Sequence, residues 1–220
     1  MADRTEYGQK GLIGVLTPQA NTTVEPELWA LMQPGWSMIT ARLVSDKTTM
    51  EARLKDYAAQ YLAATAQFAN APVTHILAAC TGASYLIGAA REDALVNEIQ
   101  NTYHRPFTTA ALAAVAMLKA MQAQRIALLS PYPDALNEAS SLYWESRGFS
   151  VIAKEKPVLT ANAFHPIYAT SSAAVLAAYR ALSKHKADAI LMLGTGMATL
   201  TSLRDGQKEQ LTPAISCNLA

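Results

Sequence analysis

The chain has 220 residues, 51% of them apolar, which fits one domain or two small ones with a sizeable core. A formal net charge of +1 argues against a nucleic-acid track or an acidic tail, and there is no run of about 18 apolar residues to span a membrane. The first six residues are too polar for a secretion signal, and two cysteines, Cys80 and Cys217, make neither a disulfide framework nor a zinc knuckle, so a cytoplasmic location is expected.

In chain order, an apolar run at 12–16 predicts a first strand ending in the polar string Thr17-Pro18-Gln19-Ala20-Asn21. Thr22-Thr23-Val24-Glu25 reads as a capping box, which predicts a helix directly after Asn21. A second strand is expected at 37–41 and a helix at 50–69. The third strand, 75–79, runs into Cys80-Thr81-Gly82-Ala83-Ser84 and a further helix start, and helices at 91–103 and 109–122 follow. A strand at 125–129 ends in Ser130-Pro131-Tyr132-Pro133-Asp134, ahead of a helix at 134–147. Beyond it lie a strand at 149–153, a helix at 169–184, a strand at 189–193 that ends in Gly194-Thr195-Gly196, and a strand at 214–216. The alternation predicts an α/β fold with mainly parallel sheets. Runs such as Ile126-Ala127-Leu128-Leu129 are apolar on both faces, as buried parallel strands are. Ligands of open α/β sheets sit beyond the carboxyl ends of the strands, so the four polar strand ends should converge on one crevice.

The chain also repeats itself. Ile13-Gly14-Val15-Leu16-Thr17-Pro18 returns as Ile126-Ala127-Leu128-Leu129-Ser130-Pro131. Ile76-Leu77-Ala78-Ala79-Cys80-Thr81-Gly82 returns as Ile190-Leu191-Met192-Leu193-Gly194-Thr195-Gly196, at an offset that differs by one residue. The shared offset predicts two pseudo-symmetric lobes, each a mainly parallel four-stranded sheet flanked by helices, with the active site in the cleft between them. Residues 1–108 with the extreme C-terminus would form lobe 1 and residues 109–215 lobe 2, with helices crossing between them. The repeat breaks where it matters for chemistry: Cys80 in one half corresponds to Gly194 in the other, so a reactive group is expected on one wall only.

A thiol at a strand end, ahead of a helix start, can have its pKa lowered by the helix N-terminus, and a thiolate there can attack an electron-poor carbon or exchange a proton at one. A buried, inert cysteine is the plain alternative, and for Cys217 the preferred one. Thr81, Gly82 and Ser84, with Thr195 and Gly196, offer hydroxyls and N–H groups suited to a carboxylate or an enediolate, although tight turns use the same residues. Asn21 and Asn162 are uncharged donors for a carboxylate, or loop caps; Tyr132 can turn its hydroxyl to a ligand, or pack as an aromatic. No Gly-x-Gly-x-x-Gly fingerprint, P-loop or Gly-x-Ser-x-Gly elbow occurs, so neither a nucleotide cofactor nor serine hydrolase chemistry is expected. His75, His104, His165 and His185 lack ligand spacing, so no metal is expected.

At Pro18-Gln19-Ala20-Asn21-Thr22-Thr23-Val24-Glu25-Pro26, Cys80-Thr81-Gly82-Ala83-Ser84, Pro131-Tyr132 and Gly194-Thr195-Gly196 the chain resembles the Asp/Glu racemase superfamily, in the branch of maleate cis–trans isomerases and arylmalonate decarboxylases. The resemblance covers nearly the whole chain. It implies two pseudo-symmetric lobes, no cofactor, a small carboxylate substrate between them, and a homodimer or higher homo-oligomer, with no nucleic-acid or membrane partner. On that resemblance Cys80 matches the cysteine that adds to the alkene carbon. Asn21 and Asn162 match the asparagines that bind carboxylates, and Tyr132 the tyrosine that helps to hold them. The family's second cysteine falls at Gly194, which argues against two-base racemisation. Arylmalonate decarboxylases also use one cysteine, but on the opposite lobe, with glycine where Cys80 stands.

Three functions compete. The first is cis–trans isomerisation of a maleate-like dicarboxylate through a Cys80 thioether and an enediolate. The second is decarboxylation of a disubstituted malonate, with Cys80 protonating one face. The third is a non-catalytic carboxylate-binding protein.

Overall fold

Each half of the chain builds the same four-stranded parallel sheet. The computed structural model describes residues 5–159 and 165–220, so the candidate Asn162 lies outside the described residues. In the first half, β1 (Gly11–Pro18), β2 (Trp36–Leu43), β3 (His75–Ala78) and β4 (Phe107–Thr109) pair in the order β2-β1-β3-β4. In the second, β5 (Arg125–Leu129), β6 (Ser150–Glu155), β7 (Ala189–Met192) and β8 (Ala214–Ser216) pair in the order β6-β5-β7-β8. The same order recurs half a chain later, as the repeat predicts. The central pairs Leu16↔Ala78 and Leu129↔Met192 bring the carboxyl ends of β1 with β3, and of β5 with β7, level with each other. These strands are apolar because both faces are covered; β7 is buried along its whole length.

The helices are α1 (Val24–Leu31), α2 (Met50–Thr65), α3 (Thr81–Ile87), α4 (Ala89–Tyr103), α5 (Ala110–Ala120), α6 (Asp134–Ser146), α7 (Ser172–Leu182) and α8 (Leu200–Lys208). Several limits differ from the sequence expectation, each for a local reason. The helix expected over 50–69 ends at Thr65 and tightens into a 3-10 turn, Ala66–Phe68, where the Thr65 hydroxyl bonds back to the Tyr61 carbonyl at 2.8 Å. The helix expected from Thr109 starts one residue later. Thr109 closes the short strand β4, and its hydroxyl caps α5 by accepting from the Leu112 N–H at 3.0 Å. Helix α7 is shorter than 169–184 and is capped by Ser171. Helix α8 carries a polar sequence with Gly206 and gives little apolar signal; a cap from lobe 1, described below, holds its start.

The capping box does not form. Helix α1 begins at Val24, and its first N–H groups are taken by the Asn21 side chain, whose Oδ1 accepts from Thr23 N at 2.9 Å and Val24 N at 3.0 Å. Glu25 turns away to a two-pronged pair with Arg42, both contacts at 2.7 Å.

Helices α2 and α4 cover one face of the first sheet around Leu16, Leu43, Tyr61, Ile76 and Ile99. Helices α5 and α6 cover the second sheet around Leu118, Leu128, Leu136 and Trp144, and α7 covers its other face around Val175 and Leu182. The lobes interlock. Helix α3 follows a strand of the first sheet, yet its Tyr85 enters the core of the second, edge-on to Tyr132 and Trp144. No described helix is long and apolar enough to cross a membrane.

Candidate active site

The ends of β1, β3, β5 and β7 meet at one cavity of about 290 Å³, which Asn21, Cys80, Tyr132, Thr195 and Gly196 line. That volume sits at the small end for ligand sites and suits a molecule of a few carbons. A larger cavity of about 440 Å³ lies among Ile13, Leu28, Trp36 and Leu77 and the last residues of the chain. It is mostly apolar, and Cys80, Tyr132 and Asn21 do not line it, so the candidate site is the smaller one.

Cys80 joins β3 to α3 as the helix N-cap. It is buried, with 4% of its surface exposed. Burial pushes its thiol up to about 12, because a thiolate there loses water; an N–H from Ala83 in the first turn of α3 pulls the other way and loses. The helix start thus does contribute the donor that its position predicts, but desolvation outweighs it, and the resting sulfur is a protonated thiol rather than the ionised one that position alone suggests. Cys217 is also buried and pushed up, to about 11, with its sulfur donating to the Met192 carbonyl at 3.4 Å.

The polar candidates divide by what they already bind. Asn21 spends its carbonyl on the start of α1 and one amide contact, at 3.2 Å, on the Thr195 hydroxyl. Thr195 in turn donates to the Ala79 carbonyl at 2.9 Å. Asn21 and Thr195 therefore tie the two walls together at the cavity edge. Thr81 and Gly82 are buried and are not among the lining residues. The Thr81 hydroxyl pairs with Tyr132 Oη at 3.3 Å, and Gly82 packs beneath Leu54. A second tie uses Glu27 of α1, whose buried carboxylate accepts from Thr199 N at 2.5 Å, Leu200 N at 3.1 Å and Asn218 Nδ2 at 2.8 Å. A lobe 1 side chain thus caps α8 of lobe 2, and Asn218 passes the restraint to the Thr195 carbonyl at 3.0 Å.

Gly194 is not an empty twin of Cys80. Its φ of +86° is a backbone conformation that L side chains rarely adopt. A side chain there would start 3.0 Å from Ile167 Cδ1, 3.2 Å from Tyr132 Oη and 3.3 Å from Pro131 Cγ. At Gly196 a Cβ would stand 2.3 Å from the Tyr168 ring. Gly194→Cys should therefore lower stability by about 1–3 kcal/mol through backbone strain, read as a lower urea midpoint. An unchanged midpoint would show that this turn is free to re-form.

Motif analysis missed Lys47 and Arg53, which also line the cavity, along with Tyr57 and Tyr168. Lys47 Nζ is paired with the exposed Asp46 at 3.1 Å, whereas Arg53 has no ion pair among the described residues. No described lining residue carries a carboxylate. The Arg53 guanidinium is fixed by donating from Nη1 to the Lys47 and Thr48 carbonyls at 3.1 and 3.0 Å. A signal for both was available: they follow β2, and the rule that ligands gather at strand carboxyl ends covers that strand as well. No group of three His, Cys, Asp or Glu comes together among the described residues.

Comparison with known proteins agrees with this architecture. The family model described as arylmalonate decarboxylase matches residues 13–220. The maleate isomerase of Nocardia farcinica (strain IFM 10152) is 28% identical over 218 residues, covering 94% of this chain and 86% of that protein. The crystal structure of the maleate isomerase Iso from Pseudomonas putida S16 superposes with a TM-score of 0.84 at 20% identity, covering 94% of this chain and 88% of the other. A cysteine-to-serine mutant of the Nocardia farcinica maleate cis–trans isomerase, solved with a covalently bound succinylcysteine intermediate, superposes at 0.80 with 25% identity over 94% and 88% of the two chains. With the match running from β1 to the last residue, the chain belongs to the arylmalonate decarboxylase family.

Proposed function

We propose that the protein is an isomerase of a maleate-like dicarboxylate, acting through a covalent Cys80 adduct. The observation that carries this reading is a thiol lining a small cavity that Arg53 and Lys47 also line and to which no described residue brings a carboxylate. Such a cavity attracts an anion with two carboxylates and offers it one nucleophile. The Nocardia farcinica relative with a succinylcysteine intermediate supports the covalent route.

The chemistry follows from the bond that must turn. A carbon–carbon double bond does not rotate, so catalysis must make it single for a moment. Cys80 loses its proton to water and the thiolate adds to C2. The π pair moves onto C3 and its carboxylate as an enediolate. The C2–C3 bond rotates, the pair returns, and the thiolate leaves as the trans alkene forms. Arg53 holds a carboxylate of the substrate, Lys47 joins it by exchanging its exposed partner Asp46 for the substrate, and the Ala83 N–H stabilises the sulfur anion.

Incubation with maleate should yield fumarate, followed by NMR; its absence at high enzyme concentration would remove this reading. Arg53→Ala should raise KM for the dicarboxylate by about 10–100-fold, the worth of a hydrogen bond to a charged group, and leave kcat less changed. A KM that does not move would take Arg53 out of substrate binding.

One observation favours a second reading. A thiol kept protonated by burial is suited to give a proton. In a decarboxylase of a disubstituted malonate, loss of carbon dioxide would leave an enediolate, and Cys80 would protonate one face of it. The product should then be a single enantiomer; a racemate would count against Cys80 as the only donor.

A further inference from the structure

We propose that the Tyr132 hydroxyl is the proton donor on the wall where the repeat lacks a thiol, protonating C3 of the Cys80 adduct. This assignment rests on the isomerase reading above.

The position of that hydroxyl suggests it. At Gly194 the left-handed turn leaves no side chain, and the three nearest atoms outside the turn lie within 3.3 Å of where one would begin. Two of them, Ile167 Cδ1 and Pro131 Cγ, are carbons. The third, Tyr132 Oη at 3.2 Å, is the one that carries an exchangeable proton. The same oxygen lies 3.5 Å from where a side chain on Gly82 would start, so it sits between the turn after β3 and the turn after β7. Tyr132 lines the cavity together with Cys80. Its ring is held edge-on by Tyr85, and its carbonyl accepts from Asn137 Nδ2 at 3.0 Å. The hydroxyl itself is held loosely, by the Thr81 hydroxyl at 3.3 Å. A fixed ring whose hydroxyl makes one long hydrogen bond can turn its proton to a ligand, which fits a donor better than a structural strut.

The bare adduct gives the reason for such an acid. Addition of the thiolate to a dicarboxylate puts a third negative charge on a small molecule. Transfer of the Tyr132 proton to C3 converts the enediolate to a thioether and leaves a phenolate. Burial raises the Tyr132 phenol far above its usual range, so the phenolate is a strong base and takes a proton back quickly. It removes a hydrogen from C3, that C–H pair re-forms the π bond, and the C2–S bond breaks to return the thiolate. Protons and electrons balance over the cycle.

Stereochemistry makes this testable. If sulfur and proton add from opposite faces of maleate, anti elimination of the same proton returns maleate. A rotation of a third of a turn about C2–C3 brings the original C3 hydrogen opposite the sulfur. Its removal gives fumarate, which keeps the donated proton. In D2O the wild-type protein should therefore release fumarate with one deuterium per molecule. Tyr132→Phe should lower kcat by about 10²–10⁴-fold and cut deuterium per product, while the Kd for succinate, by calorimetry, moves less than about tenfold. Wild-type fumarate free of deuterium would overturn the assignment without recourse to any variant. A Tyr132→Phe protein making fumarate with undiminished deuterium would overturn it too, as would a loss of succinate affinity large enough to account for the whole defect. If the wild-type protein makes no fumarate at all, the isomerase reading falls and this assignment with it.

Discussion

Cys80→Ser should reduce maleate turnover by about 10⁴–10⁶-fold, because a serine hydroxyl at the same spot is far weaker as a nucleophile and as a leaving group. The fold should survive, since the change swaps one buried sulfur for a smaller oxygen and keeps a group that can accept from the Ala83 N–H. The wild-type pH profile adds a second test. Desolvation pushes the Cys80 thiol up to about 12, so across the neutral and mildly alkaline range only the rare thiolate reacts. For an isomerase that begins by adding the thiolate, log kcat/KM should climb one unit per pH unit throughout that range. For a decarboxylase that uses the thiol as an acid, the required form is already the dominant one, and the profile should be flat until pH nears 12. A flat profile with fumarate as the product would remove free thiolate from the mechanism. Alkylation by iodoacetamide should show the same rise at Cys80, with Cys217 rising in parallel from a similarly suppressed start, pushed up to about 11 by its own burial.

The central strands were legible in the sequence because their apolar runs are covered on both faces and end in turn residues. Arg125–Leu129 and Ala214–Ser216 have the limits expected of them. The repeat carried more, since two motifs at one offset imply two sheets of the same order. Strand β4 was not legible: three residues long, and ending in the Thr that caps α5, it is hidden by the helix that follows. The convergence of Asn21, Cys80, Tyr132 and Thr195 could be argued from strand ends, but the tasks of these residues could not. Asn21 and Thr195 bond across 174 positions of sequence, and Glu27 reaches Thr199 across 172, distances at which no local pattern speaks. The thiol shows a similar limit. Its place at a helix start is a local fact, while the burial that overrides it depends on everything packed around it. Gly194 could be seen to lack a thiol, yet only the fold brings the Tyr132 hydroxyl from another strand to that spot.

The largest loss of stability is expected from Arg147→Ala, by about 3–5 kcal/mol. Glu92 on α4 has no exposed surface, and its carboxylate accepts from Thr109 Oγ1 at 2.6 Å, Tyr143 Oη at 2.5 Å and Arg147 Nη2 at 2.7 Å. Thr109 ends β4 of the first sheet, whereas Tyr143 lies on α6 and Arg147 just beyond it, over the second. One buried charge therefore joins both lobes, and removal of its cation leaves a carboxylate with two neutral donors and no water. For a chain of this size the cost corresponds to a fall in Tm of roughly 6–20 °C. The Arg180–Glu209 pair, two-pronged at 2.6 and 2.8 Å, is a control with both side chains substantially exposed, and Arg180→Ala should cost at most about 1 kcal/mol. The contrast shows that short distance alone does not set the cost; Arg147 also pairs with the half-exposed Asp93 at 2.8 Å, which an exposed pair's small worth covers. A double change of Glu92 and Arg147 to methionine should recover much of the loss, since no buried unpaired charge then remains and Asp93, the other partner of Arg147, is half exposed to water. If Arg147→Ala were no worse than Arg180→Ala, water would have reached the carboxylate through the space that the partly exposed Arg147 side chain leaves.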